Sequence, residues 1–145
     1  MSKDYLITVT GTQTFDEESE TLELTTSAVY GERNGKKLIK YKEYDTEDAG
    51  SVVSNIIKIE GKDKITLVKN NGVHYSQLIL ECGKRHQCFY STPIGNMAVG
   101  IYTDSMTHEI DENGGRIEID YSIDFNGDFQ SENHLVIVLC KKELS

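Results

Sequence analysis

A chain of 145 residues carrying one proline, 12 glycines and 37% hydrophobic residues has the size of one domain. It is large enough to bury roughly 68–70% of the surface its unfolded chain exposes, so neither a metal nor a disulfide staple is required. A net charge of −9 repels a phosphate backbone and argues against nucleic acid as a partner.

Period-two alternation marks nine or ten strand candidates in chain order, over Asp4–Thr14, Thr21–Glu32, Lys36–Asp45, Ser54–Glu60, Lys64–Lys69, Val73–Glu81, Lys84–Thr92, Met97–Glu109, Gly115–Phe125 and Ser131–Lys142. Between them stand turn signals: Asn34-Gly35, Glu60 to Asp63, Asn70-Asn71-Gly72, Cys82-Gly83, Pro93 to Asn96, Asp111 to Gly115 and Asn126 to Asp128. Asp16 to Glu20 and Thr46 to Gly50 read as mobile loops. The clearest strand sets Ile117, Ile119, Tyr121, Ile123 and Phe125 against Glu118, Asp120, Ser122 and Asp124. A slip of one residue would turn that apolar row into water, so its register is strongly specified. No segment sustains a period near 3.6, which predicts little or no helix.

Strands joined in succession by tight turns build a meander, and a meander this long curls to remove its edges. The expected fold is a single all-β domain over residues 1–145, an antiparallel up-and-down barrel of about 8–10 strands. A two-sheet sandwich is the competing architecture, but its Greek-key crossovers need longer connections.

Several local patterns occur in the order of a known family. They are Tyr41-Lys42-Glu43, the turn Lys69-Asn70-Asn71-Gly72-Val73, Gln77, and Tyr90-Ser91-Thr92-Pro93-Ile94-Gly95. After them come the alternation Met97, Val99, Ile101, Thr103, the acidic Gly-Gly turn, and the Ile117/Ile119/Tyr121 strand. This series, from Thr21 to Leu139, resembles the YwiB-like family of small bacterial proteins of unknown function. The resemblance implies a calycin-like, or lipocalin-like, barrel of eight principal strands and supplies no catalytic residue. Where that family carries arginine just before the turn, this chain has Lys69.

Candidate site residues interrupt apolar rows. Glu43 shares a side with Ile39 and Tyr41, while Lys40 and Lys42 take the other. Lys69 follows Ile65 and Leu67, Gln77 follows Val73 and Tyr75, and Thr103 follows Met97, Val99 and Ile101. If the apolar sides face inward, Tyr41, Glu43, Lys69, Gln77, Tyr90 and Thr103 form the expected ligand-binding set. A buried carboxylate is costly, so Glu43 needs Lys69, Arg85 or a ligand beside it. Two readings of this set stand: a cavity for a small molecule, or a purely structural role as an internal network or as side chains that merely reach solvent at a strand end.

Other chemistry is thinly signalled. His86-x-Cys88 with Cys82 lacks the Cys-x₂₋₄-Cys spacing of a zinc site, so no metal is expected. Asp124 to Asp128 places its glycine at the wrong position for a calcium loop and reads as a hairpin turn. Nucleophile elbows and phosphate-binding glycine loops are missing, and no cofactor is expected. Three cysteines without disulfide spacing suit a reducing compartment. No apolar stretch reaches the roughly 18–20 residues that span a bilayer, and Met1 to Tyr5 has no secretory leader's apolar core. The sequence thus predicts a cytoplasmic barrel with a small-molecule ligand and no membrane partner, free to form a homo-oligomer. An enzyme using Glu43 or His86, and an interaction protein with a filled interior, are its rivals.

Overall fold

The computed structural model describes residues 2–44, 52–92 and 95–142, with side chains described over 5–44, 52–89 and 97–142. Ten strands form and no helix occurs among the described residues. They are β1 (Ser2–Phe15), β2 (Glu18–Arg33), β3 (Lys36–Tyr44), β4 (Val52–Glu60), β5 (Lys64–Asn70), β6 (Tyr75–Glu81), β7 (Arg85–Thr92), β8 (Gly95–Asp111), β9 (Gly114–Phe125) and β10 (Asp128–Lys141). Each pairs antiparallel with its neighbours in sequence, and β1 pairs with β10 to close a barrel. That ring excludes the sandwich. It also has ten strands where the family resemblance implied eight.

Alternation sorts side chains as the periodicity requires. In β9, Ile117 and Ile119 are fully buried while Arg116 is exposed and Glu118 half-buried. Ile7, Ile39, Ile57, Ile65, Leu80, Ile101 and Ile137 complete the inner rows. Each such aliphatic side chain contributes about 1.5–3 kcal/mol on burial.

The two ends of the barrel differ. At the end holding the β2–β3 and β8–β9 turns, Tyr5 and Tyr30 pack edge-to-face with centroids 5.7 Å apart. The Tyr5 hydroxyl donates to the Glu112 carbonyl at 2.6 Å, and the Lys37 ammonium donates to the Ile110 carbonyl. These contacts tie aromatic rings and a lysine across the end and close it. The opposite end, which holds the β1–β2 and β9–β10 turns, carries exposed Phe15, Phe125 and Phe129.

Two local expectations change. Asp16 and Glu17 both adopt positive φ, forming a two-residue turn, and Glu18, Ser19 and Glu20 pair with Phe15, Thr14 and Gln13. The expected mobile loop there is a tight hairpin, masked in the sequence because neither turn residue is glycine or asparagine. Thr46 to Gly50 lies outside the described residues, as do Pro93 and Ile94. In β8 a bulge between Thr103 and Ser105 inserts one residue, so the inner row continues at Met106 opposite Ile119.

Backbone geometry at the β8–β9 hairpin depends on Gly115, whose φ is +147°. A Cβ there would overlap the Glu109 carbonyl oxygen, which belongs to the paired strand and cannot swing aside. Gly115→Ala is expected to destabilise the barrel by more than about 2 kcal/mol in urea unfolding. An unchanged midpoint would show that the hairpin tolerates a different turn.

Candidate ligand-binding site

The open end leads into a cavity of about 540 Å³ lined by inward residues of β1–β6, β9 and β10. Val9, Leu24, Ile57, Leu67, Leu78 and Leu135 supply apolar wall, and Leu22, 70% exposed, stands at the mouth. Gly11 leaves a gap in β1: a Cβ added there meets only Leu135 Cδ1, at 3.9 Å.

One wall is polar, and sheet register builds it. Tyr41 of β3 pairs with Asn55 of β4, Asn55 with Lys69 of β5, and Lys69 with Ser76 of β6. Directly opposed residues point to the same side, so these four form a row across the sheet. Glu43, two residues beyond Tyr41, joins from above. Asn55 Nδ2 donates to Glu43 Oε1 at 3.0 Å, and Lys69 Nζ lies 3.2 Å from the same oxygen. Glu43 and Lys69 are 32% and 57% exposed, so this pair sits at the wet mouth and escapes most of the desolvation cost of a buried ion pair. Tyr41 and Asn55 are buried. Burial first, then the Glu43 charge, holds the Tyr41 hydroxyl well above the ordinary tyrosine range, so it stays protonated.

The structure therefore brings Tyr41, Glu43 and Lys69 together, with Lys69 as the partner Glu43 requires. Arg85 has another role: it forms a two-pronged pair with Asp124 on the outer wall, at 2.9 and 2.7 Å. Gly100 makes the crossing available, since a Cβ there would collide with the guanidinium. Gln77 does not join the site. It faces outward with Tyr75 and Ile79, and accepts a hydrogen bond from the Tyr75 hydroxyl at 3.1 Å. Strand β6 has apolar residues on both faces, and pairing of Leu78 and Leu80 with Leu67 and Ile65 decides which face turns in. Tyr90 follows Ser76 in register, but its side chain lies outside the described residues. Thr103 is fully buried yet does not line the cavity, and its hydroxyl has no hydrogen-bond partner among the described residues. Asn55 was not anticipated. The signal was present, since Asn55 interrupts the Asn55, Ile57, Ile59 row as Glu43 interrupts its own.

Elsewhere, His86 Nε2 lies 2.8 Å from Glu81 Oε1 and Lys84 Nζ 3.2 Å from Oε2. The His86 hydrogen bond, then that of Lys84, holds the Glu81 carboxyl below the usual carboxylate range. The Cys88 thiol instead accepts the Ile79 amide proton at 3.4 Å, and burial pushes its pKa up. No group of three His, Cys, Asp or Glu side chains among the described residues is placed to hold a metal ion.

On the outer wall, His134 Nδ1 lies 2.6 Å from Asp120 Oδ1 and its Nε2 3.0 Å from Glu118 Oε2. The Asp120 hydrogen bond, then the charges of Asp120 and Glu118, raise the His134 pKa above 6.5, against a smaller desolvation effect. Asp120 is held low by His134 and, more weakly, by the Ser105 hydroxyl.

The fold is a closed, antiparallel up-and-down barrel of ten strands with a cavity open at one end. Residues 7–137 match the family model described as a domain of unknown function, DUF1934, and the chain belongs to that family. It is similar to the crystal structure of the ywiB protein from Bacillus subtilis, with a TM-score of 0.83 and 19% sequence identity. That match covers 96% of this chain and 92% of the other, and at this identity it shows a shared fold. No functionally curated protein matches the sequence. The described residues contain no helix long and apolar enough to cross a membrane.

Two measurements follow from these side chains. A buried hydroxyl without a partner costs about 1–3 kcal/mol, so Thr103→Val should raise stability by about 1 kcal/mol in denaturant titrations. A loss of that size would mean the hydroxyl is paired. For His134, a raised folded-state pKa gives stability that is fully present below about 6.5 and lost as pH climbs through the folded value. His134→Gln should therefore lower the melting temperature slightly at about pH 5.5 and leave it unchanged near pH 9. The opposite ordering would remove the charge pairing as its cause.

Proposed function

We propose that this chain is a non-catalytic binding protein that takes one small amphipathic molecule into the open end of its barrel. The supporting observation is the cavity itself: about 540 Å³ of space with apolar walls and one fixed polar row. Ligand sites of roughly 300–1,000 Å³ typically combine such walls with a few placed polar groups. A purely structural network would not require this space, because interior side chains gain dispersion energy by filling it. Leu22 points the same way, since its exposed side chain at the mouth would be covered by an occupant. A cytosolic setting fits the three free cysteines, one of them exposed.

Gly11 provides the test. Its φ lies outside the left-handed region and its Cβ position is open, so Gly11→Leu fills the cavity without backbone strain. Uptake of the neutral dye Nile red, read by fluorescence, should weaken at least about tenfold, equivalent to ~1.4 kcal/mol. The melting temperature should hold or rise. Glu43→Gln removes a half-exposed ion pair and should alter stability by less than about 1 kcal/mol. Dye binding that ignores Gly11→Leu, or a collapse in stability on Glu43→Gln, would favour a structural role for the row.

A further inference from the structure

Resting on the cavity reading, the geometry points to a ligand whose polar head is neutral and both donates and accepts hydrogen bonds, such as a hydroxyl or a primary amide. The argument begins with charge. Lys69 and Glu43 already neutralise one another at 3.2 Å, so the row presents no net charge to an occupant. Asn55 and Lys69 both engage Glu43 Oε1, and no hydrogen bond to Oε2 is found among the described residues. Glu43 lines the cavity, so that oxygen is an acceptor left for an occupant.

The second feature is Tyr41. Its side chain is 9% exposed, it lines the cavity, and no hydrogen bond from its hydroxyl is found among the described residues. An occupant that excludes water from this hydroxyl without accepting its proton would leave a buried donor unpaired, which is costly. One free acceptor and one free donor, two residues apart on one strand face, match a group that offers both.

A charged head fits worse. A carboxylate would compete with Glu43 for Lys69 and leave two anions sharing one cation, in a molecule already at −9. An ammonium head at the free Glu43 oxygen would set a second cation beside Lys69, two cations sharing one carboxylate. Either charged head adds a like-charge repulsion.

Displacement of bound Nile red by 1-dodecanol and by dodecanoate tests this, since the two share one alkyl chain. An alcohol enters any apolar space more readily than an anion, so the wild-type preference for dodecanol does not decide the matter alone. The decisive quantity is how that preference changes. Glu43→Gln frees the Lys69 charge and should shift the affinity ratio toward dodecanoate by about fivefold. Tyr41→Phe should weaken dodecanol about fivefold while Nile red is unaffected, the loss of one hydrogen bond. Wild-type protein that binds dodecanoate as tightly as dodecanol overturns the neutral-head inference and leaves the cavity reading intact. So does an affinity ratio that neither substitution moves. Nile red that fails to bind the wild type overturns both.

Discussion

Strand number sets the diameter of a closed barrel, and that constraint governs everything else in this molecule. Eight strands enclose an interior that side chains just fill, or that holds one small ligand. Ten strands enclose more. The closed end uses that width for Tyr5, Tyr30 and the lysine that reaches the Ile110 carbonyl. Toward the open end the inner rows carry Gly11, Leu22, Leu24 and Leu78, and the width is left as space. The pairing of β1 with β10 over ten consecutive positions, Tyr5 with Lys141 through Thr14 with Glu132, holds the ring at this size. It also removes the two edges that an open meander would expose.

Inside this ring, the polar row is a consequence of register. Tyr41, Asn55, Lys69 and Ser76 are far apart in sequence and directly opposed in space. Their arrangement grades from wet to dry. The two charged groups stand at the mouth, where water still screens them, while the amide and the phenol lie deeper and carry no charge. This ordering keeps the desolvation cost low and leaves hydrogen-bonding capacity facing the cavity.

The outer wall follows a different logic. Thr8 with Thr25, Thr12 with Thr21, and Thr14 with Ser19 form cross-strand hydroxyl pairs at 3.1, 3.1 and 2.9 Å. Arg85 spans β8 to Asp124, and His134 bridges Asp120 and Glu118. Water screens exposed pairs of this kind, so they shape the surface more than they stabilise it.

Much of this was legible beforehand because a strand's two faces are written directly into residue order. Alternation and turn residues alone marked nine or ten strand candidates, the absence of helical periodicity, the inward row of β9, and the shared side of Tyr41 and Glu43. They failed at Asp16-Glu17, whose turn lacks the usual glycine or asparagine, and at Gln77, where both faces of β6 read as apolar. Only the tertiary structure decided which face of β6 turned inward, that Lys69 rather than Arg85 met Glu43, and that Asn55 stood between them. These are properties of register between strands, and register is set by pairing across the sheet and by closure of the ring. A single strand's sequence carries its own two faces but not the identity of the residue lying opposite.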